Sequence, residues 1–171
     1  MESEVRVAIA ARDEQPIIAN LFQLYVHDFS EHWRDRAEGE LGPDGRFAPY
    51  PWLDDYWREA GRIPLLLRRD ERLAGFALLN RASHTGAPID HNMAEFFVAR
   101  KHRRGRVGTA AARMIFEQYP GMWEVAVARA NISALAFWRA TIIGCASARN
   151  VELRDLAGET WDGPLFRFRT G

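Results

Sequence analysis

The sequence predicts an α/β (α+β) fold: one domain over residues 1–171, built on a single mixed, mostly antiparallel sheet of about seven strands with helices on both faces. Three observations predict it. Apolar residues make up 47% of 171, enough to bury one sizeable core. The apolar period switches repeatedly between two and 3.6. Both kinds of strand connection occur: tight turns, which demand antiparallel pairing, and strand–helix–strand steps, which demand parallel pairing.

In chain order, "VRVAIAA" (5–11) alternates through Val5, Val7 and Ile9 and reads as a strand. Asp13 suits a helix N-cap and Pro16 a first turn, before a helix with Ile17, Leu21, Leu24 and Tyr25 on one face. "AEGELGPDGRFAPYP" (37–51) is loop, and "WLDDYWREA" (52–60) reads as a short helix. "IPLLLRRD" (63–70) and "RLAGFALLNRAS" (72–83) form a hairpin around a tight "DE" turn. "HNMAEFFVAR" (91–100) ends apolar on both faces and belongs at the centre of the sheet. A helix follows with Val107, Ala111, Met114 and Ile115 inward, then a strand at 122–130. A helix at 131–143 opens at Asn131 and closes at Gly144, and 150–169 forms a last hairpin.

Composition excludes several function classes. The formal net charge is zero, which disfavours nonspecific nucleic-acid binding. Cys145 is the single cysteine, so neither an intrachain disulfide nor a multi-thiolate metal site can form. His27 and His32 have no third ligand at a sensible spacing, and no metal is expected. The N-terminus carries acids and no long apolar run, unlike a signal peptide, and no stretch is long enough to span a membrane. The expected setting is the cytoplasm, with no membrane partner.

"KHRRGRVGTAAARMIF" (101–116) carries the chemistry. A strand runs through a short basic loop into a helix N-terminus, where free N–H groups and the helix dipole favour an anion. Gly105 and Gly108 let a ligand approach the backbone, and Arg103, Arg104 and Arg106 supply charge. The pattern suits a phosphate or pyrophosphate. It is neither G-x-G-x-x-G nor a P-loop.

From Glu95 to Gly144, "FFVARKHRRGRVGTAAARMIF" and "NISALAFWRATIIG" resemble the GNAT superfamily of acetyl-CoA-dependent N-acetyltransferases, as does the order of elements along nearly the whole chain. The resemblance implies a GNAT-like sheet and acetyl-CoA as co-substrate. It implies an Arg/Gln-x-x-Gly-x-Gly/Ala loop on the pyrophosphate, with Arg103 first, Gly108 last, and Arg106 where the family has its middle glycine. Arg104, Gly105, Val107 and Thr109 complete that loop and helix start. Phe97 and Val98 would pair with pantetheine through their backbones, the Val98 amide meeting the oxyanion. Asn131, Phe137 and Trp138 match the later N-x-x-A-x-x-F-Tyr pattern, with Trp138 in place of a tyrosine that often protonates the departing thiolate.

The implied reaction is direct attack of a primary amine on the thioester in a ternary complex. An amine of pKa about 10 is mostly protonated at pH 7, so a base is required. Glu95, a lone carboxylate in the apolar run "MAEFFV", is the first candidate, since burial raises a carboxyl pKa toward the useful range. A structural ion pair with an arginine is the alternative. His91 is the second candidate base. Cys145 has no neighbouring base and is not expected to carry an acetyl group. "YVHDFSEHW" and "YPWLDDYWRE", with Tyr25, Asp28, Trp33 and Trp57, mix ring faces and carboxylates suited to a small-molecule or peptide amine. A homodimer stays open. The runner-up readings are a non-catalytic acyl-CoA-binding or regulatory domain, and a nucleic-acid module resting on "RKHRRGR" alone.

Overall fold

The alternating run at the start becomes β1 (Val5–Ile9), and the run behind Pro16 becomes α1 (Gln15–Ser30), with proline in the first turn where no N–H is needed. Then come β2 (Ile63–Arg69), β3 (Arg72–Asn80), β4 (His91–Val98), α2 (Val107–Gln118), β5 (Gly121–Ala126), α3 (Ile132–Ile143), β6 (Ala148–Ala157) and β7 (Asp162–Thr170). The computed structural model describes residues 4–34 and 37–171. The seven strands form one sheet in the order β1-β2-β3-β4-β5-β7-β6, with β4 in the middle as its apolar faces predict. Every pairing is antiparallel except β4 with β5.

Asp70 and Glu71 take positive φ, 49° and 61°, which gives β2 and β3 the two-residue turn whose twist matches the strands. α2 and α3 cover one face, burying Leu65, Leu67, Leu79, Met93, Val98, Trp123 and Phe168. α1 covers the other with Leu53 and Tyr56, over Leu66, Phe76, Leu78 and Phe97.

Several expected details are corrected. Residues 52–60 form no α-helix but a single 3₁₀ turn at Asp54–Trp57. Nine residues cannot sustain a helix alone, and the buried pair Leu53 and Tyr56 keeps the three-residue repeat of a 3₁₀ turn. β1 stops at Ile9, β4 at Val98 and β5 at Ala126, each short of its expected end. Leu24 is 53% exposed, because α1 buries the stripe of Ile18, Leu21 and Val26 instead. Met114 is 37% exposed, at the margin of the stripe formed by Ala111, Ala112, Ile115 and Phe116.

A polar row crosses the α1 face of the sheet. Asn80 on β3 pairs with Asn92 on β4, and Asn92 with Glu124 on β5. Glu124 is fully buried and fully engaged. It accepts from Ser83 Oγ (3.1 Å), Thr85 Oγ1 (2.6 Å), the His84 amide (2.8 Å) and Arg167 (2.8 Å). Burial raises its pKa, but these bonds outweigh burial and hold it below the usual carboxylate range. Both sheet edges are blunt. β1 has five residues, and β6 is exposed along most of its length, with Arg149, Glu152, Arg154 and Asp155. No helix among the described residues is long and apolar enough to cross a membrane.

Candidate active site

Two irregularities in β4 build the site. Its parallel pairing with β5 covers two positions only, His91 with Trp123 and Asn92 with Glu124. Beyond them β4 stays with β3 and β5 with β7, so the strands diverge and leave a gap in the sheet. The register against β3 also slips: Leu78 faces Glu95, while Leu79 faces Met93, which makes Ala94 the extra residue of a bulge. The slip puts Met93 on the α2 side and keeps Glu95 with Phe97 on the α1 side.

Backbone direction assigns the gap's donors. The Ala99 amide bonds the Ala74 carbonyl on β3 at 2.8 Å. Peptide groups alternate along a strand, so those of Val98 and Phe96 turn toward β5 and those of Phe97 toward β3. This corrects the expectation for Phe97, whose backbone serves the ladder. It places the Val98 amide in the gap.

The loop between β4 and α2 begins with a 3₁₀ turn at Arg100–His102 and ends at Arg106, the α2 N-cap, which supplies no side-chain cap. The amides of Val107, Gly108 and Thr109 open the helix and carry its positive dipole end. Arg104 and Arg106 take φ of 62° and 61°, the left-handed conformation that favours glycine. Arg106, which stands where the resemblance puts the middle glycine, therefore holds a backbone that glycine would adopt without strain. Gly105 has no such φ, and a Cβ there would meet Arg69 Nη1 at 2.8 Å. Gly108 serves packing: a Cβ there would meet Phe137 at 3.2 Å. A cleft of about 360 Å³ beside the loop is lined by Arg69, Asp70, Arg72, Lys101 and His102 and adds positive charge. Arg106→Gly is expected to leave stability equal or up to about 1 kcal/mol higher, since relieved strain of about 1–2 kcal/mol is partly offset by unfolded-state entropy. Thermal denaturation checks this, and acetyl-CoA affinity should not fall.

Arg103 points elsewhere than its expected phosphate role. Its Nε donates to the Val98 carbonyl at 2.7 Å, its guanidinium lies 5.6 Å from the Phe97 ring centre, and Nη2 bonds Asp28. Arg100 also binds Asp28, at 2.7 Å. Burial raises the Asp28 pKa, but the two arginines outweigh it and bring the carboxyl below its usual range. Asp28 thus ties α1 to the loop and is committed to cations of the protein itself.

Glu95 lies on the α1 face among tyrosines. Burial drives its pKa up to about 7, opposed by a hydrogen bond with Tyr25. Burial, and then Glu95 itself, push the Tyr25 hydroxyl far up. Tyr50 and Tyr56 complete the surroundings, both raised first by burial and also by Glu95. Of the four expected acceptor residues only Tyr25 touches Glu95. Trp57 donates to the Ala10 carbonyl at 2.9 Å, because the 3₁₀ turn sends Tyr56 inward instead. Trp33 packs on Phe29 at the end of α1.

The remaining candidates divide clearly. His91 sits on the opposite face from Glu95, its ring 4.8 Å from Trp123 and Nε2 3.3 Å from the Pro120 carbonyl oxygen. Burial lowers its pKa. Trp138 is 6% exposed and belongs to the core, as do the Cys145 and Val107 side chains. Asn131 caps α3, its Oδ1 accepting from the Ala134 amide at 3.0 Å. Among the described residues no group of three or more His, Cys, Asp or Glu could hold a metal ion. Tyr50, Tyr56 and the half-buried Asn80 were not singled out in the sequence, where only the aromatic density of residues 50–59 signalled the two tyrosines.

Comparison with known proteins bears on the same elements. Residues 18–144 match the sequence profile of the Acetyltransferase (GNAT) family. No curated protein matches the chain. Among solved structures it is similar to FdhC, a nucleotide-linked sugar GNAT, in its apo form, with TM-score 0.63, 10% identity, and coverage of 99% of this chain and 89% of that one. An acetyltransferase from Thermus thermophilus has TM-score 0.59, 12% identity, and coverage of 96% and 94%. The ribosomal-protein-S18-alanine N-acetyltransferase from Escherichia coli has TM-score 0.55, 11% identity, and coverage of 96% and 92%. With the profile spanning the strand gap, the basic loop and both helices beside it, the chain belongs to the GNAT acetyltransferase family.

Proposed function

We propose that the protein transfers an acetyl group from acetyl-CoA to a primary amine by direct attack in a ternary complex. The observation that carries this reading is Glu95, a half-buried carboxylate on the bulged strand beside the gap, whose pKa desolvation raises to about 7. The site fits the co-substrate: the peptide groups of Phe96 and the amide of Val98 turn into the gap, and the uncapped helix start beside Arg104 suits a pyrophosphate. Acetyl-CoA supplies the activated acyl group. Glu95, as carboxylate, takes a proton from the incoming ammonium, directly or through one water. The freed nitrogen forms the new N–C bond as the C–S bond breaks, and the overall products are the amide, free coenzyme A and one proton. The Val98 amide meets charge developing on the acyl oxygen.

A library of amines, scored by release of free coenzyme A, tests the reaction. Acetyl-CoA alone should raise the melting temperature, because it binds the native state only. Calorimetry with no heat and no thermal shift at millimolar acetyl-CoA refutes the cofactor assignment. The second reading, a non-catalytic acyl-CoA-binding domain, is favoured by one observation: Trp138 is buried core where the family often has a thiolate acid. Binding without acetyl transfer to any amine would establish it.

A further inference from the structure

Arg103 is engaged inside the protein, and what it holds bears on the chemistry. In an extended strand the N–H and C=O of one residue turn to the same side. Val98, the last residue of β4, therefore turns its carbonyl as well as its amide away from β3 and toward the gap. In a closed sheet β5 would answer both. Here the pairing with β5 ends at Asn92, and the two groups of Val98 meet different fates. The carbonyl accepts from Arg103 Nε at 2.7 Å, while the amide faces the gap.

That division matters for an acyl oxygen gaining negative charge at the Val98 amide. A bare Val98 carbonyl would set a second oxygen, with its own partial negative charge, beside it. Where water is excluded, such opposition is strong. The guanidinium occupies the carbonyl and puts positive charge there instead. Arg103 is fixed in this pose by three contacts: Nε on the carbonyl, the guanidinium over the Phe97 ring at 5.6 Å, and Nη2 on Asp28 Oδ2. Asp28 is itself held. Its side chain is 19% exposed, and its other oxygen accepts from Arg100 Nε and Nη2 at 3.0 and 2.7 Å. Two guanidinium groups around one carboxylate leave net positive charge at the end of β4.

We propose that Asp28 and Arg103 are positioning residues for acetyl transfer: Asp28 holds the Arg103 guanidinium on the Val98 carbonyl, so that the Val98 amide meets the acyl oxygen without that carbonyl opposing it. The proposal rests on the acetyl-transfer reading and adds to it the residues that keep the oxyanion site free of a competing acceptor.

The first readout is the carbonyl carbon of bound acetyl-CoA, isotopically labelled and followed by NMR on the full chain. Hydrogen bonding to the acyl oxygen and nearby positive charge move this signal downfield. Wild type should show the shift. Asp28→Asn and Arg103→Met should lose much of it, and Asp28→Glu should keep most of it. Calorimetry should give all four forms the same acetyl-CoA affinity. With the amine that the library scores highest, kcat should fall roughly ten- to hundredfold in Asp28→Asn and Arg103→Met at unchanged KM for acetyl-CoA, a smaller loss than that of an oxyanion donor itself.

If Arg103 were instead a phosphate ligand restrained by Asp28, acetyl-CoA would bind more tightly to Asp28→Asn and more weakly to Arg103→Met, with the carbonyl signal unmoved. That result overturns the proposal. So does an unshifted wild-type signal, or a signal or kcat untouched in both variants. An ion pair that only stabilised the fold would lower the melting temperature and leave the signal alone, which also overturns it. If no amine is acetylated, the signal decides by itself: a shift lost in the variants supports the positioning and refutes the transferase reading. Absence of acetyl-CoA binding overturns both.

Discussion

Glu95→Gln is expected to lower turnover at neutral pH by roughly 10²–10⁴-fold, the usual worth of a general base, while acetyl-CoA affinity barely changes. The wild-type rate should climb through pH 7, where the Glu95 carboxylate forms, and the variant should lack that limb. The deficit should shrink toward high pH, as more of the amine is already neutral. A pH–rate profile of both forms with one good acceptor checks this, and equal profiles would return Glu95 to a structural role. Stability gives an independent readout. The folded pKa of Glu95 is raised, from 4.5 to about 7, so the folded state holds the proton more tightly. Stability must then fall as pH rises from about 4.5 to about 7. Glu95→Gln, which cannot ionise, should melt above wild type at pH 8 and lose that advantage at pH 4.

Arg167→Met should destabilise the fold by about 3–5 kcal/mol, because it leaves Glu124 buried without its cation. Urea denaturation at pH 7 measures it. Bonds from Ser83, Thr85 and the His84 amide remain, which argues for the lower end of that range. The Glu124→Leu, Arg167→Met double variant should recover part of the loss, since no unpaired charge then stays inside. The Glu124 pKa is depressed, so the wild-type pair stabilises above the ordinary carboxylate range and weakens as pH falls below it. A single variant no worse than the double would refute this account.

Local pattern carried much of this architecture. The "DE" turn, the central place of β4 and the helix starting at Val107 are all properties of a few adjacent residues. Glu95 stood out for the same reason: a carboxylate in an apolar strand is anomalous wherever that strand lies. What stayed hidden depends on pairing between distant segments. Nothing in "HNMAEFFV" announces the extra residue at Ala94 or the two-position contact with β5. Those decide that His91 and Glu95 occupy opposite faces. Asp28 looked like a ligand for a cationic substrate because its partners, Arg100 and Arg103, lie 72 and 75 residues away. Tyr56 was passed over for Trp57 because a 3₁₀ turn and an α-helix bury different members of "DDYW".

The rims of the sheet bear on how this protein behaves when crowded. An open sheet offers a template for strand addition wherever a long, flat, apolar rim is available. Here one rim is the five-residue β1. The other, β6, sets Arg154 against Glu152 at 2.6 Å on its own strand and keeps four charged side chains in water. A second chain docking there would have to strip those charges of solvent before gaining its first backbone hydrogen bond. The same charges guard the newly folded chain against fibrillar growth, at a position remote from the chemistry.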